Sequence, residues 1–211
     1  MQRRHLLTLS ALALTAARST RAQSGADQVL TRVETALGGF VIAVDPARAP
    51  ATVANYLAYV DQRWLDGGQV YRIVTRANQA SDTAHKIEVV QWGMDLPDGK
   101  QPPLPPIPHE STRDTGLLHR NGTVSMARST PGTAASEYFI CIGDQPELDF
   151  GGRRNPDGQG FAAFGQVVEG MVVVQALYRK AQAEQYLKPP IGVRSVRRVA
   201  LVKATSAPAA R

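Results

Sequence analysis

A chain of 211 residues and 22.7 kDa has the size of one large domain or two small ones. Its 43% hydrophobic and 20% charged residues exclude a disordered chain, and its single cysteine, Cys141, excludes an internal disulfide framework and a multi-cysteine zinc site. The net charge of +6 is typical of nucleic-acid-binding proteins, but four of the arginines lie in residues 1–22. The remaining chain has 20 basic against 18 acidic side chains, so we expect no nucleic-acid partner.

Residues 1–22 have the layout of a secretory signal peptide. Arg3 and Arg4 form a basic start, the apolar stretch 6–17 follows, and small residues lead to a cleavage position after Ala22. The apolar stretch is shorter than the roughly 20 residues of a transmembrane helix, so we expect an exported protein that leaves the membrane once the signal is removed. The paired arginines are also typical of a twin-arginine signal, and both export routes stay open.

The first half of the body predicts two strands, a helix and two further strands. Leu37-Gly38-Gly39 is typical of a hairpin turn between the first two strands. A helix is predicted from Pro50, because apolar residues from Val53 to Trp64 recur on one helical face. A polar insertion at 75–86 separates the last two strands. The strands predicted in this half span residues 29–35, 40–44, 70–74 and 87–92.

The second half predicts a loop, further strands and one more helix. Six prolines within 97–108 predict an extended loop, because proline cannot donate to a sheet ladder. The apolar spacing in 171–178 predicts the second helix, and 204–211 is expected to be a flexible tail. The remaining strands are predicted over 122–128, 137–142, 161–167 and 193–202. Many short strands with two helices predict an antiparallel β-barrel or sandwich capped by helices.

Single residues suggest little chemistry by themselves. Arg72 is a lone cation in an apolar strand and could simply face solvent, while Gln91 interrupts a second apolar run. Phe139 and Phe161 would be core residues by default. No glycine-rich phosphate loop is present, no nucleophile has a recognisable base beside it, and the four histidines lack metal-ligand spacing. We therefore expect no metal site and no cofactor.

Four segments in fixed order and spacing carry a more specific signal. They are Val70-Tyr71-Arg72-Ile73-Val74, the run Gly122 to Arg128, Ser136 to Ile140, and the run Gly160 to Gly170. Together they resemble the cyclophilin family of peptidyl-prolyl cis–trans isomerases, and the resemblance covers residues 28–203. It implies a mainly β fold, a closed antiparallel eight-stranded barrel capped by two α-helices, and an isomerase that needs no cofactor.

The resemblance also implies roles for individual residues. Arg72 matches the catalytic arginine of the family, and Gln91 matches a glutamine of the substrate groove. Phe139 matches the floor of an apolar proline pocket. The other positions with implied substrate contacts are Val89 and Leu148 in that pocket, and Ala127, Arg128 and Ser129 on the strand edge that pairs with the substrate backbone.

Several groove positions depart from the family pattern. Glu137 replaces a frequent glutamine, Phe161 a frequent histidine, and Arg128 a common asparagine, although we expect all three to contact substrate. Glu88 replaces a frequent phenylalanine of the pocket rim. Glu147 stands where some eukaryotic members carry tryptophan, which argues against tight cyclosporin binding.

Two functions follow from this pattern. The first is an exported, monomeric isomerase, located in the periplasm, that acts on proline-containing segments of unfolded or folding proteins. The alternative is a catalytically weak module that binds proline segments of a partner, which the altered positions Glu88, Glu137 and Phe161 favour. In either case Cys141, inside an apolar run, is expected to be a buried, unreactive thiol.

Overall fold

The computed structural model describes residues 28–97 and 100–200. The predicted signal peptide at 1–22 and the predicted tail at 204–211 lie outside the described residues. No helix within the described ranges has the length and hydropathy required to cross a membrane.

The described residues form eight strands that close into one antiparallel barrel. The strands are β1 (Val29–Thr35), β2 (Gly38–Val44), β3 (Gln69–Val74), β4 (Val89–Gly93), β5 (Thr123–Met126), β6 (Glu137–Cys141), β7 (Ala162–Glu169) and β8 (Tyr186–Val199). Their order around the barrel is β1-β2-β7-β5-β6-β4-β3-β8. Closure leaves no free sheet edge, and it confirms the predicted eight-stranded barrel.

Aromatic side chains fill the barrel interior. Tyr138 packs edge-on against Tyr56 with ring centroids 5.2 Å apart, and Trp92 and Phe164 lie 5.1 Å and 5.9 Å from Tyr138. All four residues are at most 1% exposed. Because side chains alternate along a strand, every second residue of each strand enters this core, and its neighbours are left on the outer face.

The described ranges contain three α-helices, of which two were predicted. They are α1 (Pro50–Asp61), α2 (Thr112–Thr115) and α3 (Met171–Tyr178). The single turn of α2 is too short to show a helical period in the sequence, which is why it was missed. Helix α1 is capped from a distance, since the Glu110 carboxylate accepts hydrogen bonds from the backbone N–H of Ala51 at 3.0 Å and of Thr52 at 2.8 Å.

Strand β8 begins seven residues before the predicted start at residue 193. The missed part contains Pro189 and Pro190, which argue against a strand. In the structure both prolines lie where the pairing of β3 with β8 shifts register, between the pairs Val70–Ile191 and Arg72–Tyr186. The regular hydrogen bonds between β3 and β8 are interrupted here, so the backbone N–H groups that proline lacks are not required for pairing.

Candidate active site

The candidate site lies on the outer face of three adjacent strands. Arg72 of β3 is paired with Gln91 of β4, and Gln91 is paired with Phe139 of β6. The three side chains therefore stand in one row across the barrel wall, although they are far apart in sequence. The strand register alone brings the predicted catalytic arginine beside the predicted pocket floor.

Two glutamines hold the Arg72 guanidinium in place. Its Nε and Nη2 donate to Gln185 Oε1 at 3.0 Å and 2.5 Å, and its Nη1 donates to Gln91 Oε1 at 3.1 Å. The Tyr186 ring lies 5.6 Å from the guanidinium carbon. No carboxylate of the described residues lies within 4 Å of Arg72. Neutral amide acceptors orient the cation without neutralising it, so its charge is available to a bound peptide.

A tyrosine and a glutamate fix the amide of Gln91. Gln91 Nε2 donates to the Tyr71 hydroxyl, and that hydroxyl donates to the Glu137 carboxylate. Burial and the nearby Glu137 charge raise the pKa of Tyr71, so it stays protonated as a donor. The chain of hydrogen bonds leaves Gln91 Oε1 facing Arg72. Glu137 thus orients the row of groove residues. Tyr71, to which the sequence analysis assigned no role, connects Glu137 to Gln91.

The first pocket is a cavity of about 200 Å³ beside Arg72, large compared with the ~30 Å³ of one water molecule. Phe139 forms its floor, with the Phe161 ring edge-on at 5.4 Å. Its apolar lining consists of Ile87, Val89, Ala127, Phe139, Leu148 and Phe161, and its polar lining of Arg72, Gln91, Arg128, Arg154 and Asn155. A cavity with an aromatic floor, apolar walls on one side and several convergent polar groups on the other fits a small apolar ring attached to a peptide backbone.

The second pocket adjoins the first and has a volume of about 360 Å³. It shares Arg72, Gln91, Ala127 and Arg128 with the first pocket and adds Ser129 and Glu137, while Leu96, Pro102 and Tyr186 contribute to its walls. All ten predicted site residues therefore line one of the two pockets: Arg72, Val89, Gln91, Ala127, Arg128, Ser129, Glu137, Phe139, Leu148 and Phe161. Their contacts with substrate stay a prediction.

The Arg128 side chain is already bound within the protein. It is only 1% exposed and pairs with both carboxylate oxygens of Asp157 at 2.8 Å and 2.9 Å. Its Nε donates to the Gly160 carbonyl at 2.9 Å, and the guanidinium carbon lies 5.0 Å from the Phe161 ring. The guanidinium lowers the pKa of Asp157. Arg128 therefore holds the loop 151–160 against the pocket wall, and its backbone is the part that remains for a substrate.

The expectation that Glu88 sits at the pocket rim is wrong. Its carboxylate accepts a hydrogen bond from the Tyr178 hydroxyl at 2.5 Å and lies 3.9 Å from Arg76 Nε, outside both pockets. Ile87, one residue earlier, lines the first pocket instead. The polar insertion at 75–86 displaced the match by one residue, which inverts the direction of a side chain. The pocket is consequently more apolar than the sequence suggested.

Beneath Phe139 the structure shows a serine, a histidine and an aspartate in hydrogen-bonded order. His119 lies with Nδ1 2.7 Å from Asp149 Oδ1 and with Nε2 2.9 Å from Ser125 Oγ. The expectation that no nucleophile stands beside a base is wrong in this respect. However, Ser125 is 0% and His119 1% exposed, so no substrate reaches them. The His119 ring stacks on Phe139 at 5.8 Å, and the three residues support the pocket floor.

The thiol of Cys141 is equally inaccessible. Cys141 is a free thiol with 0% exposure, as predicted, and burial raises its pKa well above the ordinary value. No cluster of three or more metal-ligating side chains occurs among the residues that the structure describes.

Sequence reasoning missed the groove residues contributed by loops and by the start of β8. Gln185 and Tyr186 lie where the loop after α3 enters β8, and Arg154 and Asn155 belong to the loop 151–160. None has a local pattern that marks it, because each reaches the groove through contacts between segments distant in sequence. The adjacent arginines Arg153 and Arg154 are the sequence signal that this loop offers.

Known proteins show the same fold and related sequences. The family model for the cyclophilin type peptidyl-prolyl cis-trans isomerase/CLD matches residues 30–198. A peptidyl-prolyl cis-trans isomerase of Streptomyces antibioticus is 37% identical and covers 69% of this chain and 80% of its own. Isomerase A of Dickeya dadantii is 33% identical and covers 80% of each chain. A cyclophilin structure from Cryptosporidium parvum covers 82% of this chain and 99% of its own with a TM-score of 0.65; at 16% identity it supports the fold alone.

A closed barrel with an outer groove, an accessible cation and a pocket with an aromatic floor fits a protein that binds an extended peptide. The sequence matches then make the assignment specific. The chain belongs to the cyclophilin-type peptidyl-prolyl cis–trans isomerases, and it is an isomerase that acts on proline-containing peptides.

Proposed function

We propose that this isomerase binds the prolyl ring of its substrate in the first pocket and stabilises the twisted X-Pro bond with Arg72. One observation carries the proposal: a guanidinium held by two glutamines stands at the rim of an apolar pocket whose floor is Phe139. The cation and the pocket are close enough to act on the same peptide bond.

The chemistry follows from the electronic structure of the amide. Rotation about an X-Pro bond passes a barrier of ~18–20 kcal/mol, because resonance is lost in the twisted state. In that state the prolyl nitrogen regains a lone pair and becomes a better hydrogen-bond acceptor. A fixed donor that faces this nitrogen stabilises the twisted state more than either planar isomer, which is the condition for catalysis. The reaction then needs no covalent intermediate and no cofactor.

The two pockets give the substrate a direction. With the prolyl ring in the first pocket, the residues before proline extend into the second pocket, along the backbone of Ala127, Arg128 and Ser129. The residues after proline leave the groove past Asn155 and Arg154. Glu137 takes part as a fixed member of the hydrogen-bonded row, and the apolar Phe161 closes the pocket above Phe139.

We also propose that the mature protein is a monomer in the periplasm, where it assists the folding of exported proteins. The sequence of residues 1–22 supports export, and uncatalysed prolyl isomerisation, which takes tens to hundreds of seconds, is slow enough to limit the folding of such clients. Residues of this one chain line both pockets, so the proposed site does not require a second copy. N-terminal sequencing of the protein from its native cell should find a start near Gln23, and an intact Met1 would contradict export.

The direct test of the function is cis–trans exchange of an Ala-Pro peptide, measured by NMR with and without the protein. A Cryptosporidium cyclophilin has been crystallised in the presence of the dipeptide Ala-Pro, which makes this peptide a natural choice. We expect exchange to accelerate in proportion to enzyme concentration. Binding without acceleration would favour the alternative, a module that only binds proline segments. Of the three altered positions that favoured this alternative, Glu88 lies outside both pockets.

A further inference from the structure

Arg154 brings a second guanidinium to the first pocket, at the end of the groove opposite Glu137. The pocket lining contains Arg72 and Arg154 together, whereas Glu137 lines only the second pocket. The other residues that line the first pocket and not the second are Ile87, Val89, Phe139, Leu148, Asn155 and Phe161. The groove thus carries an acidic group at one end and an additional basic group at the other.

The position of Arg154 is fixed by two parts of the chain. Its Nη1 donates to Gln79 Oε1 at 2.9 Å and to the His85 carbonyl at 3.0 Å, both in the insertion 75–86. Its backbone N–H donates to the Glu147 carbonyl at 3.1 Å. Gln79 is itself 6% exposed and binds the Ile87 backbone with both ends of its amide. Only one of the three guanidinium nitrogens is used, and Nε and Nη2 make no hydrogen bond within the described residues.

The acidic residues near Arg154 are bound elsewhere. Asp157 pairs with Arg128, and the Glu147 carboxylate accepts from the Arg153 backbone at 2.9 Å and lies 3.3 Å from His85 Nδ1. No carboxylate oxygen of the described residues comes within 4 Å of Arg154. Burial and the positive charge of Arg72 both lower the pKa of Arg154. The positive charges of Arg72 and Arg154 therefore line the same pocket with no carboxylate of the described residues between them. A carboxylate supplied by a bound substrate would reduce the repulsion between the two charges.

We propose that this enzyme prefers substrates with an acidic side chain immediately after the proline, which Arg154 binds through Nε and Nη2. The inference rests on the proposed direction of the substrate, in which the chain leaves past Arg154. Glu137 adds the opposite preference in the second pocket, where an acidic residue before the proline meets a like charge. The preferred sequence is therefore X-Pro-Asp or X-Pro-Glu, with X uncharged or basic.

The test compares capped, amidated peptides that differ only in the residue after proline: Ala-Ala-Pro-Glu, Ala-Ala-Pro-Gln and Ala-Ala-Pro-Lys. Exchange is measured by NMR at low salt. We expect kcat/KM for the glutamate peptide to exceed that for the glutamine peptide by about twofold to fivefold, as for a partly exposed charge pair, with lysine the poorest. The preference should shrink in 0.5 M salt, because screening weakens exposed pairs. A fourth peptide, Ala-Glu-Pro-Gln, should be no better than Ala-Ala-Pro-Gln.

Variants then assign the preference to one side chain. Arg154→Gln should bring the glutamate-to-glutamine ratio close to one. Arg153→Gln is the matched control: the neighbouring side chain is 74% exposed and outside both pockets, so the ratio should stay as in the wild type. Equal wild-type rates for the glutamate and glutamine peptides would overturn this inference and leave the isomerase intact. A faster Ala-Glu-Pro-Gln peptide would overturn the direction of the substrate, and no acceleration of any peptide would overturn the proposed function itself.

Discussion

Neighbouring residues of the same strand face opposite sides of the barrel wall and have different environments. Ile73 and Val90 face inward and are fully buried among apolar side chains. Arg72 and Gln91, each one position away, face outward and join a hydrogen-bonded row. Residues that stabilise the fold and residues that form the groove therefore alternate along the same strands. We expect that a residue of one set can be substituted with limited effect on the other set.

The two faces also differ in how they are held. The interior depends on close packing of large rings, which tolerates no loss of volume. The outer groove depends on directed hydrogen bonds from loops, such as Gln185 on Arg72 and Gln79 on Arg154. Substitutions inside should therefore change the free energy of unfolding, and substitutions outside should change the rate of catalysis.

The largest expected effect on the interior is that of Phe164→Ala. Phe164 is 0% exposed and packs against Tyr56 and Tyr138, so its removal leaves a cavity that should cost about 3–5 kcal/mol of unfolding free energy. Urea unfolding measures this loss, and the remaining folded protein should retain kcat/KM. Phe139→Ala is the matched change on the outer face and should lower both quantities. If Phe164→Ala instead lowered kcat/KM of the folded protein strongly, the two faces would not be separable.

The next effect, on the groove, is that of Arg72→Ala. Loss of one preorganised donor should reduce the rate about 10²–10³-fold, equivalent to ~2.7–4 kcal/mol in the transition state. The unfolding free energy should change little, because the half-buried side chain makes only two glutamine contacts and one aromatic contact. Arg72→Lys should not restore activity, since an ammonium cannot reproduce the planar fork. A folded Arg72→Ala variant with wild-type turnover on an Ala-Pro peptide would refute the catalytic role.

The sequence could predict the residues that lie on strands better than those that lie on loops. The short apolar strand segments predicted a barrel or a sandwich, and the resemblance carried by the four ordered segments implied the closed barrel. The strand register then places the side chains of Arg72, Gln91 and Phe139 side by side. The loop residues could not be placed in this way. Arg154 meets Gln79 across 75 positions and Arg72 meets Gln185 across 113, and no local pattern encodes such contacts.

Two errors have local physical causes. A one-residue uncertainty beside the insertion 75–86 placed Glu88 in the pocket instead of Ile87, because consecutive extended residues point to opposite sides. The start of β8 was missed because Pro189 and Pro190 are poor strand formers, whereas the structure places them at a shift of the ladder. Both errors concern irregular backbone, where alternation loses its predictive value.

The pH dependence of stability should originate beneath the outer face. Burial lowers the pKa of His119 from 6.5, and its hydrogen bond to Asp149 opposes this effect without cancelling it. The unfolded chain therefore takes up a proton at a higher pH than the folded protein, so the free energy of unfolding should fall as pH drops below about 6.5. One such group contributes a slope of up to about 1.4 kcal/mol per pH unit.

Urea unfolding between pH 7 and pH 5 measures this slope, and His119→Gln should flatten it. The ion-paired carboxyls affect stability in a different pH range. Arg198 lowers the pKa of Asp61 and Arg197 lowers that of Asp66, both from 3.8, so the stability that these pairs add is lost only in more acidic solution. An unchanged slope in the variant would show that His119 takes up its proton at the same pH in the folded and unfolded states, in conflict with a pKa lowered by burial.

The smallest expected effect tests the interior by removing one oxygen atom. The Tyr138 hydroxyl is buried in the core and has no hydrogen-bond partner among the described residues, whereas the Tyr56 hydroxyl lies 2.8 Å from Thr31 Oγ1. A buried, unsatisfied hydroxyl destabilises the folded state, so Tyr138→Phe should stabilise the protein by about 1 kcal/mol, or raise Tm by about 2–4 °C. Tyr56→Phe, on a ring 5.2 Å away, breaks a hydrogen bond and should lower Tm by a similar amount. Calorimetry on both variants measures the two shifts. Shifts of the same sign would mean that hydrogen bonding does not distinguish the two hydroxyls, and that the core is governed by packing alone.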